Sequence, residues 1–266
     1  MNHLDELENK TIYIIREAYA CYRKTALLWS MGKDSTTLLW ITRKAFFGQI
    51  PFPIIHIDTS FKFKQMYEFR DKLAKEWKLN LIISKNTDAL KKKVDPKNGM
   101  FECCTALKTE ALKQTLKKYA FNALLLAIRR DEHGIRAKER HFSPRDTGFN
   151  WNYQDQPAEL WNFYKTNCVQ GEHLRIHPLL HWTELDVWKY IRRESIPIVN
   201  LYLSINNKRY RSIGCDPCCQ PMDSKAKSIT KIIQELEITK VAERNGRCQD
   251  KENDYTMQKL RSLGYM

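Results

Sequence analysis

The chain has 266 residues, of which 42% are hydrophobic and 11% aromatic, a composition typical of a globular protein with a sizeable core. No apolar run approaches the roughly 20 residues needed to cross a bilayer, and the first turns of the chain carry acids rather than a signal-peptide pattern. We therefore expect a soluble, cytoplasmic protein with no membrane partner. The net charge of +14 suits a polyanionic partner, either a nucleotide or a nucleic acid.

The hydrophobic pattern predicts amphipathic helices that alternate with short apolar strands. A helix over residues 4–24 comes first. The elements predicted after it are, in chain order, strand 26–30, helix 34–46, strand 53–58, helix 63–77, strand 79–84, helix 104–118 and strand 123–128. This alternation predicts an α/β fold with a doubly wound, mostly parallel sheet flanked by helices.

The sequence changes character after residue 140, where a loop region rich in Trp and Asn begins. A short strand at 174–177 and a helix at 184–194, capped by Thr183, are predicted next. The last part of the chain is predicted to be a loop followed by two short helices, so the C-terminal portion is loop-rich and helical.

The segment Ser30–Ser35, with the sequence SMGKDS, lies between a predicted strand and a predicted helix. Free backbone N–H groups and the helix dipole make such a turn a site for anions. The Walker A pattern fails, because position 27 is Leu and Lys33 is followed by Asp34. The segment instead resembles the PP-loop of adenine nucleotide alpha hydrolases, Ser-Gly-Gly-x-Asp-Ser, with Met31 in place of the first Gly. A plain strand–turn–helix connection is the alternative.

Polar residues follow three of the predicted strands. They are Ser30, Asp58 with Thr59, and Arg129 with Arg130. Because ligands of open α/β sheets bind at the carboxyl ends of the strands, we expect these residues to converge on one cleft.

Further motifs extend the resemblance over almost the whole chain. They are Pro51-Phe52-Pro53, His56-Ile57-Asp58-Thr59, Tyr67-Glu68-Phe69-Arg70-Asp71, Lys108-Thr109-Glu110, Arg129-Arg130-Asp131-Glu132, Arg136-Ala137-Lys138-Glu139-Arg140, Trp182-Thr183-Glu184 and Leu201-Tyr202-Leu203. Together they resemble the small, catalytic subunit of bacterial two-subunit ATP sulfurylase and the wider family of phosphoadenylyl-sulfate reductases. The resemblance implies an adenine nucleotide alpha hydrolase-like fold, with a PP-loop ATP-binding domain over 1–200 and a Cys-rich loop and helices over 201–266 packed on it.

The resemblance also implies an activity, in which sulfate or another oxyanion attacks the α-phosphate of ATP and pyrophosphate leaves. Mg²⁺ is the expected counterion of the phosphates. The expected catalytic residues are Lys33, Arg129 and Arg130. The expected nucleotide-binding residues are Ser30, Gly32, Lys33, Asp34, Ser35, Asp58, Thr59, Arg136 and Lys138. Two alternatives stay open: Asp58 could cap the next helix, and Arg136, Lys138 and Arg140 could face solvent.

Five of the eight cysteines fall in two tight clusters, Cys103-Cys104 and Cys215-Asp216-Pro217-Cys218-Cys219. Four thiolates from two such clusters could hold an iron-sulfur centre or tetrahedral zinc, and buried small thiols are the alternative. The pattern is similar to the Cys-Cys plus Cys-x-x-Cys ligand set of assimilatory adenylyl-sulfate reductases, in which a Lys follows at the spacing of Lys108. That resemblance implies a [4Fe-4S] cluster, with zinc second. Its ligands would be Cys103, Cys104, Cys215 and Cys218.

Two departures from these families leave the function open. The tail reads Gly246-Arg247-Cys248-Gln249-Asp250, without the Glu-Cys-Gly-Leu-His motif of the reductases, so sulfonucleotide reduction is not expected. Only residues 204–212 stand where many sulfurylase small subunits carry a long insertion, which leaves the docking of a GTPase-type partner subunit open.

Sulfate adenylylation is the first functional hypothesis. The second is an iron-sulfur PP-loop enzyme that activates nucleic acid for sulfur insertion, as in DNA phosphorothioation or tRNA thiolation, with a cysteine desulfurase as sulfur donor. A non-catalytic nucleic-acid or scaffold component is the third hypothesis.

Overall fold

Six short strands form the central sheet of the computed structural model, which describes residues 2–159, 171–248 and 256–265. They are β1 (Thr25–Leu28), β2 (Ile54–Ile57), β3 (Leu81–Ser84), β4 (Ala123–Leu125), β5 (Phe142–Arg145) and β6 (His173–Ile176). Their order in the sheet is β3-β2-β1-β4-β6-β5, and every neighbouring pair is parallel except β5 with β6. The predicted mostly parallel sheet is confirmed. The strand order switches direction between β1 and β4, where a ligand crevice forms in such sheets.

Helices cover both faces of this sheet. They are α1 (His3–Cys21), α2 (Lys33–Ala45), α3 (Lys64–Glu76), α4 (Thr87–Lys91), α5 (Met100–Cys104), a π-helix (Thr105–Glu110), α6 (Ala111–Tyr119), α7 (Glu184–Glu194), α8 (Ile229–Ile238) and α9 (Thr256–Ser262). None of the helices in the described ranges is long and apolar enough to span a bilayer.

Local sequence signals explain where several elements begin. α7 begins after Thr183, whose hydroxyl and the Asp186 carboxylate form a capping box, and Asn2 and Asp5 do the same for α1. β1 is buried along its whole length, as expected for a strand covered by helices on both faces. The short continuous apolar run that predicted this strand reflects that double burial.

The structure differs from the predictions in elements with weak hydrophobic patterns. β5 was not predicted, because Phe142–Arg145 contains a Pro and two polar residues. Among the described strands it pairs with β6 alone, at the edge of the sheet, where Pro is tolerated. The short hairpin of β7 (Lys208–Arg209) and β8 (Met222–Asp223) was also not predicted, since two-residue strands have no usable pattern. The predicted helix 104–118 begins earlier, at Met100, and contains the π-helix.

Buried histidines near the sheet, among them His56, His141 and His173, make stability depend on pH. Burial lowers the pKa of His56 and His141 to about 3 and that of His173 to about 2. These rings stay neutral in the folded chain, whereas in the unfolded chain they take up protons near pH 6.5. The unfolded state therefore binds more protons below that pH, and stability falls as the pH falls.

We expect the free energy of unfolding to decrease by up to about 1.4 kcal/mol per pH unit for each such histidine below pH 6. Urea denaturation between pH 7 and pH 5 measures this slope. His56→Asn should flatten it, because one of the titrating groups is gone. Equal slopes in wild type and His56→Asn would contradict the prediction.

Candidate active site

A cavity of about 170 Å³ opens at the carboxyl ends of β1, β2 and β4. Leu28, Ile57 and Leu126 line it from these three strand ends, at the point where the strand order switches. Of the residues expected at the site, those that line the cavity are Ser30, Gly32, Lys33, Asp34, Ser35, Thr59 and Arg136. The sheet therefore brings the SMGKDS segment and two other predicted positions to one cleft.

The turn of the SMGKDS segment has its left-handed residue at Met31, with φ of 61°, and not at Gly32, with φ of −70°. A left-handed conformation costs a residue with a Cβ about 1–2 kcal/mol. The Met31 side chain is only 1% exposed and packs in the main hydrophobic core, which offsets that cost. Methionine in place of the first PP-loop Gly is thus compatible with the same turn.

Two hydroxyls brace this turn. The Ser35 hydroxyl accepts a hydrogen bond from the Ser30 N–H at 3.2 Å and donates to the Gly32 carbonyl at 3.1 Å. The Lys33 N–H donates to the Tyr202 hydroxyl at 2.9 Å. Other N–H groups in the first turn of α2 have no acceptor within the helix and favour an anion.

The side chains of Lys33 and Arg129 are buried and fully paired with acids. Lys33 Nζ lies 3.0 Å from Asp34 Oδ2 and also contacts the Glu243 carboxylate. Arg129 bridges the same two acids and donates to Asp131 at 2.9 Å. Two cations and three carboxylates from distant parts of the chain thus meet beneath the loop.

Lys33 and Glu243 are held in their charged forms by their neighbours in this group. Burial alone would lower the pKa of Lys33, but Asp34 and Glu243 hold it above its ordinary value. Burial would raise the pKa of Glu243, but Arg129 and Lys33 hold it well below its ordinary value. Glu243 was not expected from the sequence, because it follows the loop by more than 200 residues and carries no motif.

Four residues expected at the site do not line the cavity: Arg129 is buried in the ion network beneath the loop, and the other three point elsewhere. Asp58 accepts a hydrogen bond from the Tyr67 hydroxyl at 2.8 Å and braces the turn after β2. Arg130 lies 2.8 Å from His181 Nδ1, and Lys138 is exposed. Their roles in binding or catalysis stay predictions.

Cations that the sequence did not single out as phosphate ligands line the other end of the cavity. These residues, which we call the basic end, are Lys62, Lys108, Arg244 and Arg247. Among the residues that the structure describes, neither Lys62 nor Lys108 forms an ion pair with a carboxylate, whereas Arg244 pairs with Glu132 at 3.0 Å. The basic end therefore has two lysines without a described carboxylate partner, whereas the cations beneath the loop are paired with acids.

The two cysteine clusters meet next to the basic end. The π-helix follows Cys103 and Cys104 and brings Lys108 Nζ to 3.6 Å from Cys104 Sγ. Thr59 Oγ1 lies 3.2 Å from Cys215 Sγ. A hydrogen bond from Cys218 holds the pKa of Cys215 well below its ordinary value, with further help from nearby lysines.

The four thiols at positions 103, 104, 215 and 218 are buried, and each is a free cysteine. Burial, together with Cys104 and Cys215, raises the pKa of Cys103 to about 12. No group of three or more His, Cys, Asp or Glu side chains in the described part of the chain is arranged to hold a metal ion.

The chain belongs to the family described as the phosphoadenosine phosphosulfate reductase domain, whose model matches residues 24–221. Among its relatives is the protein named sulfate adenylyltransferase subunit 2 of Geotalea uraniireducens, which is 40% identical over 100% of this chain and 98% of its own length. A protein of the same name from Pseudomonas savastanoi is 39% identical over 100% of this chain and 98% of its length. The family expected from the motifs is confirmed.

Solved structures share the fold. Candida glabrata FMN adenylyltransferase in complex with ATP matches with a TM-score of 0.58 at 18% identity, over 82% of this chain and 63% of that one. Phosphoadenylyl-sulfate reductase from Candida auris, in a phosphate complex, matches with a TM-score of 0.54 at 20% identity, over 80% and 96%. At these identities the likeness shows the fold alone, which is the predicted adenine nucleotide alpha hydrolase-like fold.

Glu243→Ala tests the ion network beneath the loop. We expect it to lower the free energy of unfolding by about 3–5 kcal/mol, because two buried cations lose a partner. The matched control is Glu237→Ala, which removes a half-exposed pair with Lys189 at 3.3 Å and should cost less than about 1 kcal/mol. Urea denaturation at pH 7 compares them, and equal losses in the two variants would contradict a special role for Glu243.

Proposed function

We propose that this chain catalyses the adenylylation of sulfate, in which ATP and sulfate give adenylyl sulfate and pyrophosphate, in the cytoplasm. The observation that carries the proposal is the division of one cavity into a phosphate-binding turn and a basic end. The names of relatives that are about 40% identical over the full length support it.

The reaction needs positioning and charge more than covalent help from the protein. A sulfate oxygen attacks the α-phosphorus, a new P–O bond forms, and the bond to the β-phosphate oxygen breaks as pyrophosphate leaves with the electron pair. The first-turn N–H groups of α2 and the Ser30 and Ser35 hydroxyls are suited to hold the pyrophosphate. Lys33 and Arg129 fix the turn through their pairs with Asp34 and Glu243, so that these N–H groups and hydroxyls meet the charge that builds on the leaving group.

Sulfate would bind at the basic end. Lys62 and Lys108 offer ammonium groups without a described carboxylate partner, and Arg247 adds a guanidinium that can bind two oxygens of one oxyanion. Two anions, ATP and sulfate, can approach each other only where such charge offsets their repulsion.

Mg²⁺ would enter with the phosphates of ATP. Both Asp34 and Glu243 pair with Lys33 and Arg129, but the Asp34 side chain is 18% exposed and that of Glu243 only 6%, so Asp34 is the acid of this group that such an ion can reach. Magnesium would offset phosphate charge there.

The experiment that tests the proposed function measures pyrophosphate release from ATP with sulfate, without sulfate, and with DNA. Release that depends on sulfate supports adenylylation of sulfate. Release that DNA stimulates in the absence of sulfate supports the second candidate, activation of nucleic acid for sulfur insertion, which the buried thiols beside the cavity favour. No release under any condition contradicts both.

The variant Lys62→Gln tests whether the two ends of the cavity bind different substrates. We expect the KM for sulfate to rise about tenfold, since a charge-assisted hydrogen bond is lost, and the KM for ATP to change less than about twofold. Lys64→Gln is the matched control, because that lysine is two residues away and its side chain is 88% exposed. Equal effects of the two variants on the sulfate KM would contradict the assignment of the basic end.

We also propose that Cys103, Cys104, Cys215 and Cys218 hold a [4Fe-4S] cluster. The four side chains have the chemistry of cluster ligands, since all four thiols are buried and unbridged, although the described side chains are not gathered around one metal position. When bound, a cluster would link α5 to the 215–218 turn covalently. Zinc is the competing metal.

Protein purified without air should contain about four iron atoms and four acid-labile sulfides per chain and absorb visible light. Cys218→Ser should lower the iron content strongly, because it removes a ligand, while Cys21→Ser should not, because Cys21 is exposed. Colourless protein with stoichiometric zinc would contradict the iron-sulfur assignment.

The relatives are named subunit 2, which suggests that this chain acts together with a second subunit. We propose a GTPase-type partner for sulfate adenylylation. A cysteine desulfurase belongs to the nucleic-acid alternative. Co-purification of the tagged chain with a GTPase-type subunit or with a cysteine desulfurase distinguishes these two partners.

A further inference from the structure

Of the described residues 256–265, Tyr265 is the one that reaches the cavity. Tyr265 lines the cavity, is 6% exposed, and packs with Leu260 of α9 against Cys104. The expected site did not include this tyrosine, since the sequence near it shows only a short helix.

Buried charges on β6 and α9 hold this segment in place. Arg175 of β6 donates to the carbonyl oxygens of Gly264 at 2.5 Å and Tyr265 at 2.6 Å. Arg261 of α9 pairs with the buried Glu139. These contacts explain how a side chain beyond the last helix has a defined position.

Glycine is required just before the tyrosine. Gly264 has φ of 93°, a conformation that favours glycine, and a Cβ there would lie 2.8 Å from the Phe149 carbonyl oxygen. The backbone can therefore turn toward the cavity only with glycine at this position.

The Tyr265 hydroxyl contacts a cation of the basic end. Lys108 Nζ lies 3.2 Å from this hydroxyl and 3.6 Å from Cys104 Sγ. An ammonium group has three N–H donors, so these two contacts leave one for a ligand in the cavity. Lys108 has no described carboxylate to orient it, so the tyrosine and the thiol set its direction.

We propose that Tyr265 is a positioning residue, which holds the Lys108 ammonium so that its third N–H faces an oxyanion at the basic end. The inference rests on the proposed function for the identity of that oxyanion, sulfate. Ordering a lysine side chain costs conformational entropy. Because the hydroxyl and the thiol already order Lys108 before the anion binds, that cost does not reduce the affinity for the anion.

Tyr265→Phe tests the inference, because it keeps the ring packing and removes only the hydroxyl. Titration calorimetry with sodium sulfate, in the presence of an ATP analogue with a methylene bridge between the α- and β-phosphorus atoms, measures sulfate affinity without turnover. We expect affinity for sulfate to fall about five- to tenfold and affinity for the analogue to change less than twofold. Tyr119→Phe, at an exposed tyrosine, should change neither.

A double-mutant cycle separates positioning from packing. In Lys108→Gln protein, the added Tyr265→Phe change should alter sulfate affinity less than twofold, because the group that the hydroxyl positions is gone. Unchanged affinity in the single variant, or an equal loss in the Lys108→Gln background, would overturn the inference.

Sulfate binding and pyrophosphate release together distinguish a failure of the proposed function from a failure of the inference about Tyr265. Wild-type protein that binds sulfate but releases no pyrophosphate contradicts the proposed function, while the cycle still decides the role of Tyr265. Wild-type protein that binds no sulfate overturns both the acceptor site and the inference.

Discussion

The carboxylate of Glu243 is the contact on which the arrangement of the cavity depends. It joins Lys33 at the start of α2 and Arg129 just beyond β4, two buried cations that it connects to a segment far away in sequence. Taking such ions out of water costs several kcal/mol each, and only good geometry offsets that cost. The network therefore stabilises the fold little in itself but strongly favours one arrangement of three distant segments.

That arrangement divides the cavity by charge. At the loop end, the cations are already neutralised by acids, so backbone N–H groups and hydroxyls are the groups left to meet phosphate oxygens. At the basic end, Lys62 and Lys108 lack described carboxylate partners and attract anions directly. An ordered pair of anionic substrates fits this division, with one triphosphate at the turn and a smaller oxyanion beyond it.

The cysteine clusters share the basic end with these lysines. A π-helix, a form common at functional sites, turns Lys108 toward Cys104, and Tyr265 closes the same corner from the C-terminal segment. Three separate parts of the chain supply the cysteine thiols, the ammonium group of Lys108 and the phenol of Tyr265. The chemistry proposed for the thiols and the binding proposed for Lys108 are therefore physically linked, since Lys108 Nζ lies 3.6 Å from Cys104 Sγ.

The sequence by itself determined the parallel sheet, the turn at its first strand and the family. Continuous apolar strands, amphipathic helices, caps such as Thr183 and the SMGKDS segment are local signals, and they have the same meaning in many folds. The spacing of the cysteines also predicted that the two clusters form one ligand set, although it said nothing of the distance between them in the fold.

Only the tertiary structure decided which polar side chains face the cavity. Asp58 and Arg130 follow strands as expected, yet their side chains bond to Tyr67 and His181, because the direction of a side chain after a strand end depends on what packs beside it. Glu243, Lys62 and Tyr265 reach the cavity through contacts with residues far away in sequence. Such contacts leave no periodic pattern or motif, since they arise only when the folded chain encloses the charges that must be paired.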